Sequence, residues 1–128
     1  MLKEKELLKI FNELIKKPEK EWFEFKQAEN DFDKDELGKY FSALSNGANL
    51  KQKQDAWFIL GVSDKIPRKI IGTNYRKDRI SLDKLKQEIL QNTNSITFKE
   101  IYELHVDGKR IIMFNIPSGS RGIPTSWK

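Results

Sequence analysis

Apolar positions recur at helical spacing from the start of the chain. Leu7, Leu8, Phe11, Leu14 and Ile15 share one face of a 3.6-residue period, which predicts an amphipathic helix over 2–17. Pro18 stops it, because proline has no amide hydrogen to donate. Trp22, Phe23 and Phe25 then predict a short aromatic strand over 21–26, and the polar stretch Gln27 to Asp33 predicts a loop. Leu37, Tyr40, Phe41 and Leu44 return to the helical period from about Lys34. This second helix is expected to fade at Asn46-Gly47, a C-cap signal.

Residues 49–54 are polar and basic. Ala56 to Val62 is a nearly continuous apolar run, the pattern of a central strand buried on both faces. Ser63 to Arg68, with Pro67, predicts a turn, and Lys69 to Gly72 a short strand. Ser81 is a good N-cap for a third helix carried by Leu82, Leu85, Ile89 and Leu90 to about Gln91. Tyr102, Leu104 and Val106 alternate within 97–106. Asp107-Gly108 is a strong two-residue hairpin signal, and 109–116 returns as a strand.

The predicted order is α-β-α-β-β-α-β-β. That is an α+β domain with a mixed, largely antiparallel sheet and about three helices packed on it. The 128 residues suit one domain over 1–128, with 1–17 as an N-terminal helix. The turn-rich tail after Ile116 has no terminating element, so a longer protein cut after residue 128 is expected.

Composition removes several classes of function. There is no cysteine, so a disulfide framework, a cysteine zinc site and a cysteine nucleophile are all excluded. The N-terminus is too charged for a signal peptide, and no apolar run approaches the ~18 residues of a membrane span. A cytoplasmic protein without a membrane partner is the expectation.

The formal net charge of +5 says little until it is divided along the chain. Residues 50–86 hold 10 basic and 4 acidic groups, net +6, which is more than the whole surplus. A phosphate-tracking surface for DNA or RNA would draw on Lys51, Lys53, Lys65, Arg68, Lys69, Arg76, Lys77 and Arg79. A solvated lysine face is the plainer alternative. Tyr75 lies among these cations, where it either stacks on a base or packs within its loop.

The candidates for chemistry are acidic. Glu19, Glu21 and Glu24 cluster around the first strand, Lys26 follows, and Asp64 comes just after the buried strand. Alternation puts Glu24 and Lys26 on one strand face. Such a group is the material of metal-assisted phosphodiester cleavage. Carboxylates would hold Mg²⁺ or Mn²⁺, and a lysine would contact phosphate. Exposed charges on an edge strand are the simpler reading. There is no P-loop, and no serine sits in a nucleophile elbow that His105, the single histidine, could serve.

Several segments together resemble the Schlafen AlbA-type domain. The run EKEWFEFKQA is similar to the opening E-x-x-x-x-E-F-K signature of that family, here Glu19, Glu24, Phe25 and Lys26. FSALSNGANL resembles its next helix, DAWFILGVSD its glycine-valine-acid strand end, RKIIGTNYR its I-V-G-T segment, and IIMFNIPSGSRGIP its last strand and exit. The resemblance runs from about residue 18 to the end. It implies an α+β DNA-binding domain at the N-terminus of a longer bacterial transcriptional regulator, often with a winged-helix or helicase-related region behind it.

Some animal relatives are similar to endoribonucleases that use three carboxylates, and by position these fall on Glu19, Glu24 and Asp64. Those relatives clamp RNA with two such lobes, so a homodimer would have to supply the second. The chain departs from the family where many members carry a Gly-Gly pair, having Lys51-Gln52-Lys53-Gln54-Asp55 instead. Three readings follow. A nucleic-acid-binding module without a cofactor ranks first. A metal-dependent ribonuclease using Glu19, Glu24, Asp64 and Lys26, and a protein-assembly domain, are the alternatives.

Overall fold

The computed structural model describes residues 2–19, 21–28, 32–77, 79–94, 100–117 and 126–127. Along the chain run α1 (Glu4–Leu14), β1 (Phe23–Lys26), α2 (Lys34–Leu50), β2 (Asp55–Leu60) and α3 (Arg79–Asn92). After them come β3 (Thr93–Asn94), β4 (Glu100–Val106), β5 (Lys109–Pro117) and β6 (Ser126–Trp127). Four strands form one mixed sheet in the order β1-β2-β5-β4, and β3 pairs with β6 apart from it. Only the β1–β2 pair is parallel, and α2 makes the crossover between them.

Strand alternation sorts the core into two halves. Phe23, Phe25, Trp57, Ile59, Ile111, Met113, Tyr102 and Leu104 face α1, meeting Leu7, Phe11 and Leu14. Ala56, Phe58, Leu60, Ile112, Phe114 and Ile116 face α2 and α3, meeting Leu37, Phe41, Leu44, Leu82 and Leu85. The apolar run of β2 is thereby explained, because the strand is covered on both faces. The Asp107-Gly108 turn has both residues at positive φ, 52° and 75°, as a tight hairpin of this handedness requires.

Three local expectations change. α2 does not fade at Asn46-Gly47 but continues to Leu50. A Cβ on Gly47 would lie 2.0 Å from the Glu21 carbonyl oxygen, so the glycine lets the helix press against the 21–22 backbone. α3 begins at Arg79, which places Ser81 inside its first turn; Arg76 donates to the Ser81 carbonyl at 3.0 Å and ties this end down. The segment 69–72 pairs through one antiparallel bridge, Val62 to Ile70. Gly72, at φ 86°, then turns the chain away.

The N-terminal boundary of α2 is as expected, with Asp33 accepting from the Asp35 and Glu36 amides. Among the described residues no helix is long and apolar enough to cross a membrane. Most of the tail after Ile116, the 97–99 part of the expected hairpin strand and the Arg79 side chain lie outside the described residues.

Candidate functional site

β1 is an edge strand, and its alternation decides the chemistry at that edge. Phe23 and Phe25 point toward α1, so Glu24 and Lys26 point to the α2 side, in register with Phe58 and Leu60. Burying a charged pair there is tolerable because the edge stays partly wet, with Glu24 and Lys26 23% and 28% exposed. The Lys26 ammonium lies 3.8 Å from Glu24 and 3.9 Å from Asp64, and 5.4 Å from the centre of the Tyr40 ring.

Asp64 reaches this point because the chain turns at Gly61, where β2 ends. Gly61 has φ 103°, and a Cβ there would crowd the Arg110 carbonyl at 3.1 Å. Its amide donates to the Lys26 carbonyl, which locks the two strand ends together.

Glu19 approaches from the other side with a different task. Its carboxylate accepts the Phe25 amide at 2.9 Å, and so caps the open edge of β1. Burial and then the charge of Glu19 push the Glu24 carboxyl above its ordinary value, with Asp64 adding to the rise and Lys26 opposing it. Burial works to lower the Lys26 ammonium, but Tyr40, Glu24 and Asp64 outweigh it and hold the group above its ordinary value.

Of the three acids expected from sequence, Glu19 and Asp64 are thus near enough to act on Glu24. Among the described residues no three Asp, Glu or His side chains stand where they could hold one ion. The positions between Glu24 and Asp64 are taken by the Lys26 ammonium, and one Glu19 oxygen is engaged by a backbone amide. As arranged, the Lys26 ammonium serves as the cation between Glu24 and Asp64. Tyr40 was missed by sequence reasoning, since its place in the helical stripe marks it only as core.

The basic residues divide by chemistry. Arg68, Arg76 and Arg110, the arginines whose side chains are described, are committed to structure. Arg68 donates to the Ile15 carbonyl at 2.9 Å and to the Leu14 and Lys17 carbonyls, closing the C-terminus of α1, and lies 4.3 Å from the Phe25 ring centre. Arg76 pairs with Glu88 at 2.8 Å. Tyr75 is 2% exposed and packs in the core, so the packed alternative holds and its ring has no free face for a base.

The described lysines of residues 50–77 remain at the surface. Lys65, Lys69 and Lys77 are exposed and have no acidic partner among the described residues. Lys53 lies over Trp22 at 5.0 Å, and Lys51 pairs with Glu21 at 3.9 Å. β2 also separates them. Lys51 and Lys53 precede the strand and Lys65 to Lys77 follow it, so roughly 20 Å of strand stands between the groups. A groove of about 650 Å³ lies at the first group, lined by Glu19, Glu21, Trp22, Lys51 and Lys53.

Comparison with known proteins adds a family and a fold. The family described as Schlafen, AlbA_2 matches residues 19–127. No curated protein sequence matches. The fold resembles a solution NMR structure from Nitrosomonas europaea, the N-terminal domain of a protein related to the ATP-dependent DNA helicase RecG. The TM-score is 0.56 and identity 19%, over 94% of this chain and 76% of that one.

Proposed function

The chain belongs to the Schlafen AlbA_2 family, and from that premise we propose that it is a nucleic-acid-binding module that holds the phosphate backbone of DNA or RNA. The observation that carries this reading is the sorting of its cations. Arg68, Arg76 and Arg110 are bound by backbone carbonyls and carboxylates, whereas Lys65, Lys69 and Lys77 stand unpaired among the described residues at the end of the sheet. Flexible, hydrated ammonium groups suit a ligand recognised by charge and not by base identity. In a longer regulator or helicase-related protein, such a module would hold the target for its neighbours.

The test is fluorescence anisotropy with labelled single-stranded RNA and duplex DNA between 50 and 200 mM salt. Replacing Lys65, Lys69 and Lys77 together by glutamate is expected to weaken binding on the order of 10²-fold and to flatten the salt dependence. Unchanged affinity at low salt would overturn the reading.

A ribonuclease reading keeps one specific observation, the raised Glu24 beside Glu19, Lys26 and Asp64. Glu24→Gln separates its consequences. A carboxyl with a raised folded pKa contributes stability that is present below its unfolded pKa and lost as pH rises through the folded value. Ionised Glu24 therefore weighs against the fold at neutral pH. Glu24→Gln is expected to raise the thermal midpoint at pH 7, with the gain vanishing below about pH 4. If the site cleaves RNA, the same variant loses Mn²⁺-stimulated cleavage of transfer RNA. Cleavage that survives this substitution sinks the ribonuclease reading.

A further inference from the structure

A second groove, away from the acids, has a lining of one sign. It holds about 480 Å³ between residues 71–77 and the β4–β5 turn. Lys77, His105, Lys109 and Arg110 line it together with glycines and neutral residues, and among the described residues no carboxylate does. The groove at Lys51 and Lys53 differs, because Glu19 and Glu21 share its wall. We propose that the groove between residues 71–77 and the β4–β5 turn is a phosphate-binding site, contacted by Lys77, Lys109 and His105.

Both walls are fixed before any ligand arrives. The Arg110 guanidinium donates to the Thr73 carbonyl at 3.1 Å, to Tyr75 at 2.8 Å and to Arg76 at 2.9 Å. The Thr73 amide answers to the Arg110 carbonyl at 2.9 Å. The Ile71 and Gly72 amides both donate to the Gly61 carbonyl at 2.8 Å. Arg110 is also paired with Glu103, so its charge is spent on scaffolding.

The charge left for a ligand is that of Lys77 and Lys109. The Lys109 ammonium donates to the Ile70 carbonyl at 3.1 Å, which holds its head at the rim with two hydrogens still available. Gly108 lines the groove where it opens, and a Cβ there would meet nothing within 4 Å. A rigid concavity with two ammonium groups, and no carboxylate among its described lining residues, concentrates anions. The volume is within the range of small-ligand sites.

The phosphate comes either from a free phosphorylated small molecule or from a polynucleotide backbone; in the second case the inference rests on the function proposed above. Amide NMR distinguishes them. Inorganic phosphate, added at constant ionic strength against chloride, is expected to shift Gly72, His105 and Gly108 saturably. A ten-nucleotide single-stranded RNA shifts the same amides at lower concentration. Lys77→Glu with Lys109→Glu abolishes the phosphate response and weakens RNA binding about tenfold. Lys77→Ala alone touches no structural bond among the described residues and weakens the phosphate response about threefold.

A phosphate response without an RNA response supports the site and counts against the nucleic-acid reading. RNA binding that is unchanged in both variants, with no phosphate response, overturns the site and leaves that reading standing. Equal shifts from chloride also overturn it.

Discussion

Gly47→Ala is expected to destabilise the domain by about 3 kcal/mol, although alanine is the better helix former by about 1 kcal/mol. The opposing signs make the experiment decisive. A methyl group at this position would lie 2.0 Å from the Glu21 oxygen and 2.8 Å from its carbon, and both are backbone atoms that cannot rotate aside. Either α2 lifts from the sheet or the 21–22 backbone moves. The first breaks the packing of Leu44 and Ala48 on Ala56 and Phe58. The second shifts Trp22 and the strand that carries Glu24 and Lys26. Chemical denaturation would measure the loss. A stabilised variant would mean that the helix is not pressed against Glu21 as described.

Arg110→Met is the second large effect, about 3–5 kcal/mol. Methionine keeps most of the stem volume and removes every donor. The Thr73, Tyr75 and Arg76 carbonyls and the Glu103 carboxylate then lose their shared partner, three of them on the loop between β2 and α3. Hydrogen exchange should quicken across residues 73–77 more than in β2, where the ladder to β5 is intact. Arg110→Lys should recover less than half of the loss, because one ammonium cannot reach three carbonyls as a planar fork does. Equal protection of 73–77 in wild type and Arg110→Met would show that the loop is held by other means.

What could be read from sequence was local or periodic. The double-sided burial of β2 showed in its unbroken apolar run, and the hairpin showed in Asp107-Gly108 between alternating strands. The shared strand face of Glu24 and Lys26 followed from alternation with Phe23 and Phe25, while the edge position of β1 shows only in the sheet order. Gly47 misled because its partner, Glu21, is distant in sequence, so the glycine resembled a helix stop. Arg110 carried no signal at all, since the carbonyls it gathers are backbone atoms invisible to composition. Among the cations, arginine and lysine counted alike toward a +6 segment, and only the fold showed that Arg68 and Arg76 are occupied. Glu19 was read as one of three equivalent acids, but one of its oxygens holds the Phe25 amide.

The placing of β2 in the sheet has a consequence for how the chain matures. Its first neighbour, β1, is already made when β2 emerges from synthesis, but its second, β5, is not: Asp55 pairs with Pro117. Until the last strand exists, the most apolar segment of the protein has an open edge able to join another chain. β4 and β5 close quickly on each other through their two-residue turn. The slow event is docking that finished hairpin onto β2 across the intervening segment that carries α3, and this step is expected to limit the refolding rate. A nascent chain stalled before β5 is the form most exposed to aggregation.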